Sequence, residues 1–365
     1  MNNDFKTFIS KTLVPPGHGV YTVNTAKERK QFLDKLLFKT TEMIQEKWLK
    51  SLDEVDSSNV ILYGICSDTG GGILRGANWG PLFLRSHFYQ LPYREQVYDI
   101  GDIRVIPHLL HDKYLNDDII SKCRKALYGN ENEDIPVSAL SIAEEFAMRF
   151  HALYPHKKLV MLGGDHSVSY PAAKAFIKSK KDQNKKCAIL HFDAHTDLLD
   201  HRLGVDICFG SWAYPMLELL SDPELLIQVG IRSSGKDRSH WKSTLGVTQF
   251  WSNEVMEKGS DYIAKKIETI LKKHNVDEIY LSFDIDALDE KYASATGTPE
   301  PGGLSPDICH QIIQAVSEIV PITGADLVEV APMTRGAGEA PHFIEPHNTL
   351  ESGAMLLNRF LSVLK

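Results

Sequence analysis

The chain has 365 residues, 43% hydrophobic and 24% charged, a composition that fits a globular protein able to bury a large core. Its net charge of -8, without a long Lys/Arg run, argues against nucleic acid or an anionic membrane surface as a main partner. The amino terminus "MNNDFKTFIS" is polar, no apolar run approaches the roughly 20 residues of a membrane span, and the five cysteines form no Cys-x-x-Cys pair. A cytoplasmic protein with reduced, structural thiols is therefore expected.

From the amino end, the amphipathic stretch 26–52 predicts a long helix or a helical pair, so residues 1–57 read as a helical extension ahead of a main domain over 58–365. The runs "NVILYGIC" (59–66), "KLVMLGG" (158–164), "KCAILHFD" (186–193), "LLIQVGIR" (225–232), "EIYLSFDID" (278–286) and "GADLVEVAP" (324–332) are short, continuous and rich in Val, Ile and Leu. Runs of this kind predict strands buried on both faces of a parallel sheet. Helical patterns at 170–183, 261–274 and 306–320 lie between several of them. The alternation predicts an α/β fold, with helices packed on a central, mostly parallel sheet.

Other stretches carry less. The glycines of "SDTGGGILRGANWGP" (67–81) match neither a P-loop nor a dinucleotide fingerprint and read as a flexible loop over a site. His108 and His111 in "IPHLLHD" have the i, i+3 spacing of one helix face, but without a third ligand they read as surface residues. His342 and His347 flank a proline-containing stretch and read as loop residues.

The polar residues at the strand ends form a pattern. Gly163-Gly164-Asp165-His166 follows one strand, Asp193, His195 and Asp197 close the next, Asp284 and Asp286 close another, and Glu329 closes a fourth. Open parallel sheets bind ligands at this edge. Gly-Gly-Asp-His or Asp-x-His alone is more often a turn with a capping carboxylate, and Glu329 alone is compatible with a helix cap. Gathered together, four aspartates repel one another unless cations intervene, and two divalent metals supply about the charge required. Carboxylates outnumber imidazoles and thiolates are absent, which favours a hard ion such as Mn²⁺ over structural zinc.

"GGDHS" (163–167), "DAHTD" (193–197) and "SFDIDALDEKYASATGTPEPGG" (282–303) resemble the three signature motifs of the ureohydrolase family, which contains arginases and agmatinases. The resemblance runs from about Asp68 through "GANWGPLFLR" (76–85) to the final helix. It implies a three-layer α/β/α fold and a dinuclear manganese centre, with Ni²⁺ as another admissible ion. The implied ligands are His166, Asp193, Asp197 and Asp284 for one metal and its bridge, with His195 and Asp286 completing the other. A trimeric or hexameric homo-oligomer and a small cationic guanidino or amidine substrate are implied as well. Asp197 is the expected proton acceptor, and Glu329 matches the family's guanidinium-binding carboxylate. Thr298, Phe209 and Trp212 are further candidate substrate contacts, with Trp79 and Tyr292 as possible parts of an aromatic pocket.

The departures bear on the substrate. Arginases and agmatinases carry a His-Gly pair after "DAHTD" whose His relays protons, and here "CFGSW" (208–212) places Phe209 there. A phenyl ring cannot shuttle protons. Formiminoglutamases also lack that His, and "GIRSSGKD" (230–237) lacks the carboxylate with which arginases read an α-amino group. The expected activity is thus agmatinase-like cleavage of a guanidino C–N bond, with formiminoglutamate or free guanidine as alternative substrates and arginine less favoured. A single-zinc deacetylase-like enzyme and a noncatalytic binding protein are the remote alternatives.

Overall fold

The computed structural model describes residues 1–20, 24–333 and 347–364. Among these residues β1 (Leu13–Val14), β2 (Val60–Ile65), β3 (Tyr98–Ile103), β4 (Lys158–Gly163), β5 (Cys187–Phe192), β6 (Leu226–Ile231), β7 (Thr248–Trp251), β8 (Glu278–Asp284) and β9 (Ile322–Val328) form one sheet. The order across it is β1-β3-β2-β4-β9-β8-β5-β6-β7, and every pairing is parallel except β1 with β3. The six strands expected from apolar runs are all present; β1, β3 and β7 are additional.

Both faces are covered, which is why the strands read as continuous apolar runs. On one face Tyr63 of β2 meets Phe146 of the helix Ala139–Leu153, and Tyr280 of β8 meets Phe176 of the helix Ser169–Asp182. On the other, Phe283 packs on Phe192 and on Phe360 of the helix His347–Val363. Each such buried ring contributes about 1.5–3 kcal/mol of transfer free energy. The three layers of the expected α/β/α fold follow from these contacts.

The 26–52 stretch is a helical pair, Lys27–Phe38 and Ile44–Ser51. From residues 1–57, Phe5, Phe8, Leu13, Leu33 and Trp48 share the hydrophobic core with the sheet. Trp48 Nε1 donates to the carbonyl of Ile100 at 2.8 Å, and Asp102 Oδ2 accepts from the N–H groups of Gly17 (2.8 Å) and Gly19 (2.9 Å). Asp102 and Asp99 both hold the fully buried Arg85.

Residues 106–111 lie in loop and turn, with His108 exposed and His111 half-buried, and His111 Nδ1 accepts the N–H of Lys113 (3.1 Å), capping the short turn Asp112–Tyr114. One local expectation is corrected. His347 opens the helix His347–Val363 rather than lying in a loop, whereas His342 lies outside the described residues. All five cysteines are unpaired thiols, and no helix among the described residues is long and apolar enough to cross a membrane.

Candidate metal centre

The crossovers of a parallel sheet deliver each strand's trailing residues to one edge. His166 follows β4, Asp193, His195 and Asp197 follow β5, Asp284 ends β8 with Asp286 two residues on, and Glu329 follows β9. Gly164 is required at this edge, because a Cβ there would lie 1.8 Å from the carbonyl oxygen of Ser67.

Three aspartates are each anchored through one oxygen to a nearby backbone group. Asp193 Oδ1 accepts from the N–H of His195 (2.6 Å), Asp284 Oδ1 from that of Asp286 (2.8 Å) and Asp286 Oδ1 from that of Ala194 (3.1 Å). Aspartate is suited to such contacts because its short side chain reaches its own turn. The other oxygens converge. Asp193 Oδ2, Asp197 Oδ2 and Asp284 Oδ2 lie 3.2, 3.1 and 3.1 Å from His166 Nδ1. Asp286 Oδ2 lies 3.1 Å from His195 Nδ1, and the anchored Asp193 Oδ1 lies 3.5 Å from the same nitrogen. All the ligands expected from the sequence are thus brought together, in two adjoining groups that share Asp193.

Ser282 determines which nitrogen of His166 carries hydrogen. Its hydroxyl donates to Asp326 Oδ1 (2.8 Å) and so accepts from His166 Nε2 (3.0 Å). Nδ1 then faces the carboxylate oxygens without a hydrogen-bond partner. Nδ1 among carboxylates needs either a second ring hydrogen or a cation between them, and the oxygen-rich donor set fits a metal ion. Burial works to lower His166, yet these carboxylates raise it well above the usual imidazole range. Burial, followed by Asp286 and Asp193, pushes Asp284 well up. Burial also works to raise Asp193, but hydrogen bonds from His166, His191 and His195 hold it well below the usual carboxylate range. A metal binding here displaces protons.

A second row of polar side chains lies beneath the ligands. The register pairs Gln249 with Gln228, Gln228 with His191, His191 with Ser282 and Ser282 with Asp326, all of them buried. His191 and Ser282 stand two residues before Asp193 and Asp284, and residues two apart share a face of the strand. The sequence reading passes over His191 as one polar residue in an apolar run. Its Nε2 lies 2.9 Å from Asp193 Oδ2 and its Nδ1 3.0 Å from Gln228 Nε2. His191 groups with His166, Asp193 and Asp197, but both its nitrogens already have partners, which sets it behind the ligands.

The candidate substrate contacts divide. Glu329 Oε1 accepts the N–H of His166 (2.8 Å), the first residue of the turn His166–Val168 that Asp165 caps, while a Cβ on Gly297 would come 3.6 Å from its Oε2. Burial, followed by Asp165, pushes the Glu329 carboxyl well up. Thr298 Oγ1 donates to Asp286 Oδ2 (3.0 Å). Trp212 is fully buried, stacks on His166 with ring centroids 4.8 Å apart and donates from Nε1 to Asp197 Oδ2 (3.0 Å). Its expected place on a substrate wall is therefore corrected: it packs behind the ligands. Phe209 is half-buried, with the Arg202 guanidinium 4.9 Å from its ring centroid. Its N–H donates to the carbonyl of Gly70 (3.0 Å), and a Cβ on Gly72 would touch its ring at 3.3 Å, so the glycine loop packs against Phe209. Trp79 and Tyr292 are part-buried and pack on the core.

A sequence model of the Arginase family matches residues 58–355. An agmatinase of Bacillus anthracis is 28% identical over 305 residues, 80% of this chain and 91% of the relative. A guanidinobutyrase of Pseudomonas aeruginosa is 27% identical over 338 residues, 88% of this chain and 91% of the relative. Among solved structures, one described as a hypothetical agmatinase from Burkholderia thailandensis superposes with a TM-score of 0.62 at 26% identity, covering 84% of this chain and 85% of that one.

Proposed function

Because the chain belongs to the arginase family, we propose that it is a metal-dependent hydrolase that cleaves the C–N bond of a small guanidino compound and releases urea, in the manner of an agmatinase. The observation that carries this reading is the convergence of three carboxylate oxygens on His166 Nδ1 beside the second group at His195. The names of the similar enzymes, an agmatinase and a guanidinobutyrase, support the substrate class. His166, Asp193, Asp197 and Asp284 would hold one ion, and His195 and Asp286 would complete the second. Manganese suits this oxygen-rich set, and nickel is the alternative. The bound pair supplies Lewis-acid activation of water near neutral pH.

The chain's own residues divide the remaining work. Asp197 accepts the proton of the attacking water, with Trp212 holding its Oδ2 in place. Glu329 faces the cationic guanidinium through charge-assisted hydrogen bonds. Thr298 holds Asp286 and borders the substrate. Phe209 offers no proton, so the departing amine takes its own from water or another group. That feature favours a second reading, hydrolysis of formiminoglutamate or of guanidine itself. We further propose a cytoplasmic homo-oligomer, a trimer or hexamer, whose mass sedimentation would report.

The test is urea release by the manganese- or nickel-loaded protein from agmatine, 4-guanidinobutyrate and guanidine, with formiminoglutamate followed by glutamate release. Urea from a guanidino compound is expected. A metal-loaded protein that turns over none of the four would overturn the proposal. Glu329→Gln keeps an acceptor for the His166 N–H but loses the charge, so kcat/KM should fall about 10–100-fold at unchanged metal content, as loss of a charged hydrogen bond predicts.

A further inference from the structure

The polar row below the ligands has a fixed direction. An indole N–H can only donate and a peptide carbonyl can only accept, and the row is bounded by one of each. Trp251 Nε1 donates to Gln249 Oε1 (3.1 Å), which turns Gln249 Nε2 onto Gln228 Oε1 (2.8 Å). Gln228 Nε2 gives one hydrogen to the carbonyl of Thr196 (2.6 Å) and faces His191 Nδ1 (3.0 Å) with the other. His191 Nδ1 must therefore accept, so the ring hydrogen sits on Nε2 and is donated to Asp193 Oδ2 (2.9 Å). Turning any one amide would set buried donor against donor, at the cost of an unsatisfied group.

We propose that Trp251, Gln249, Gln228 and His191 form a positioning chain for the metal centre. It fixes His191 as a permanent donor to Asp193, the carboxylate common to both ligand groups. Two effects follow. The donated hydrogen keeps Asp193 Oδ2 turned toward His166, and it draws off part of the negative charge that this oxygen offers to a metal. The three glutamine and histidine members come from adjacent strands at paired register positions, so the device belongs to the sheet rather than to a loop. The inference rests on the reading of Asp193 as a ligand.

Two near-isosteric changes at Gln228 test it. In Gln228→Glu a carboxylate faces His191 Nδ1 while Asp193 faces Nε2, so both ring nitrogens carry hydrogen and the cationic ring draws more of the Asp193 charge away from a metal. Gln228→Leu removes the amide without dictating the tautomer. Manganese affinity measured by titration calorimetry should fall about 10–100-fold in Gln228→Glu, the usual effect of altering the outer partner of a ligand, and less in Gln228→Leu. Melting temperatures without metal report folding separately. Equal affinity for parent and Gln228→Glu, or a larger loss in Gln228→Leu, would overturn the chain. Asp193→Asn separates the two readings: undiminished manganese binding by that variant would overturn the ligand assignment instead. If the Gln228 variants do not fold, nitrogen NMR of the histidine-labelled parent decides. The ring hydrogen of His191 is expected on Nε2, and finding it on Nδ1 would refute the proposal.

Discussion

Asp197 and Glu329 sit at φ 51° and 62°, a left-handed conformation that costs a residue with a side chain unless its surroundings enforce it. Both are held by hydrogen bonds, Asp197 by Trp212 and Glu329 by the backbone of Gly164 and His166. His151 shows the opposite economy. It is buried, edge-on to Phe150 and Phe176, and borders a cavity of about 10 Å³ with Tyr63 and Tyr280, while its Nδ1 has no partner among the described residues. Burial, then Lys180, pushes it down to about 3. An unfolded histidine titrates near 6.5, so between these values the unfolded chain binds the extra proton. The stability linked to His151 is thus present above about pH 6.5 and lost as pH falls toward 3. His151→Leu should remove this dependence. Between pH 6.5 and 4 the parent should lose up to about 1.4 kcal/mol per pH unit more than the variant in denaturant unfolding. Parallel pH profiles would contradict the assignment.

At the scale of elements, what the sequence reveals depends on whether a residue's partner is local. Strands β2, β4, β5, β6, β8 and β9 are legible as apolar runs, and their terminal Asp, His and Glu residues are legible because strand ends of one sheet share an edge. β3 is not legible, since "YDIGDI" places two aspartates in a buried strand. That becomes intelligible only when Arg85, from the helix Gly80–Phe88, arrives to neutralise them. The polar row is hidden for a similar reason: Gln249, Gln228 and His191 look like scattered exceptions until the register aligns them. Trp212 misleads because an aromatic near a motif says nothing of which way it faces. Asp102→Ala should be severe, because it orphans the N–H groups of Gly17 and Gly19 and weakens the neutralisation of buried Arg85. A loss of about 3–5 kcal/mol is expected from breaking a buried ion pair, read from urea unfolding. A loss below about 1 kcal/mol would show that the amino-terminal segment is not anchored there.

At the scale of the molecule, the family match begins at residue 58, yet the residues before it supply an edge strand and Trp48 to the common core. The order of the sheet carries a further consequence. β9 is the last strand in the chain among the described residues, and it lies between β4, which leads to His166, and β8, which ends in Asp284. The two halves of the ligand set meet only after β9 has inserted between them. The metal site is therefore expected to be completed late in folding, because closing it requires β9 to pair with β4, a strand far from it in sequence. An interaction absent from the transition state alters escape from the native state rather than arrival at it. Manganese should accordingly slow unfolding in stopped-flow denaturant jumps while leaving the refolding rate unchanged, and a chelator should reverse only the former. Faster refolding with metal would mean that His166 meets its carboxylates before the last strand is in place.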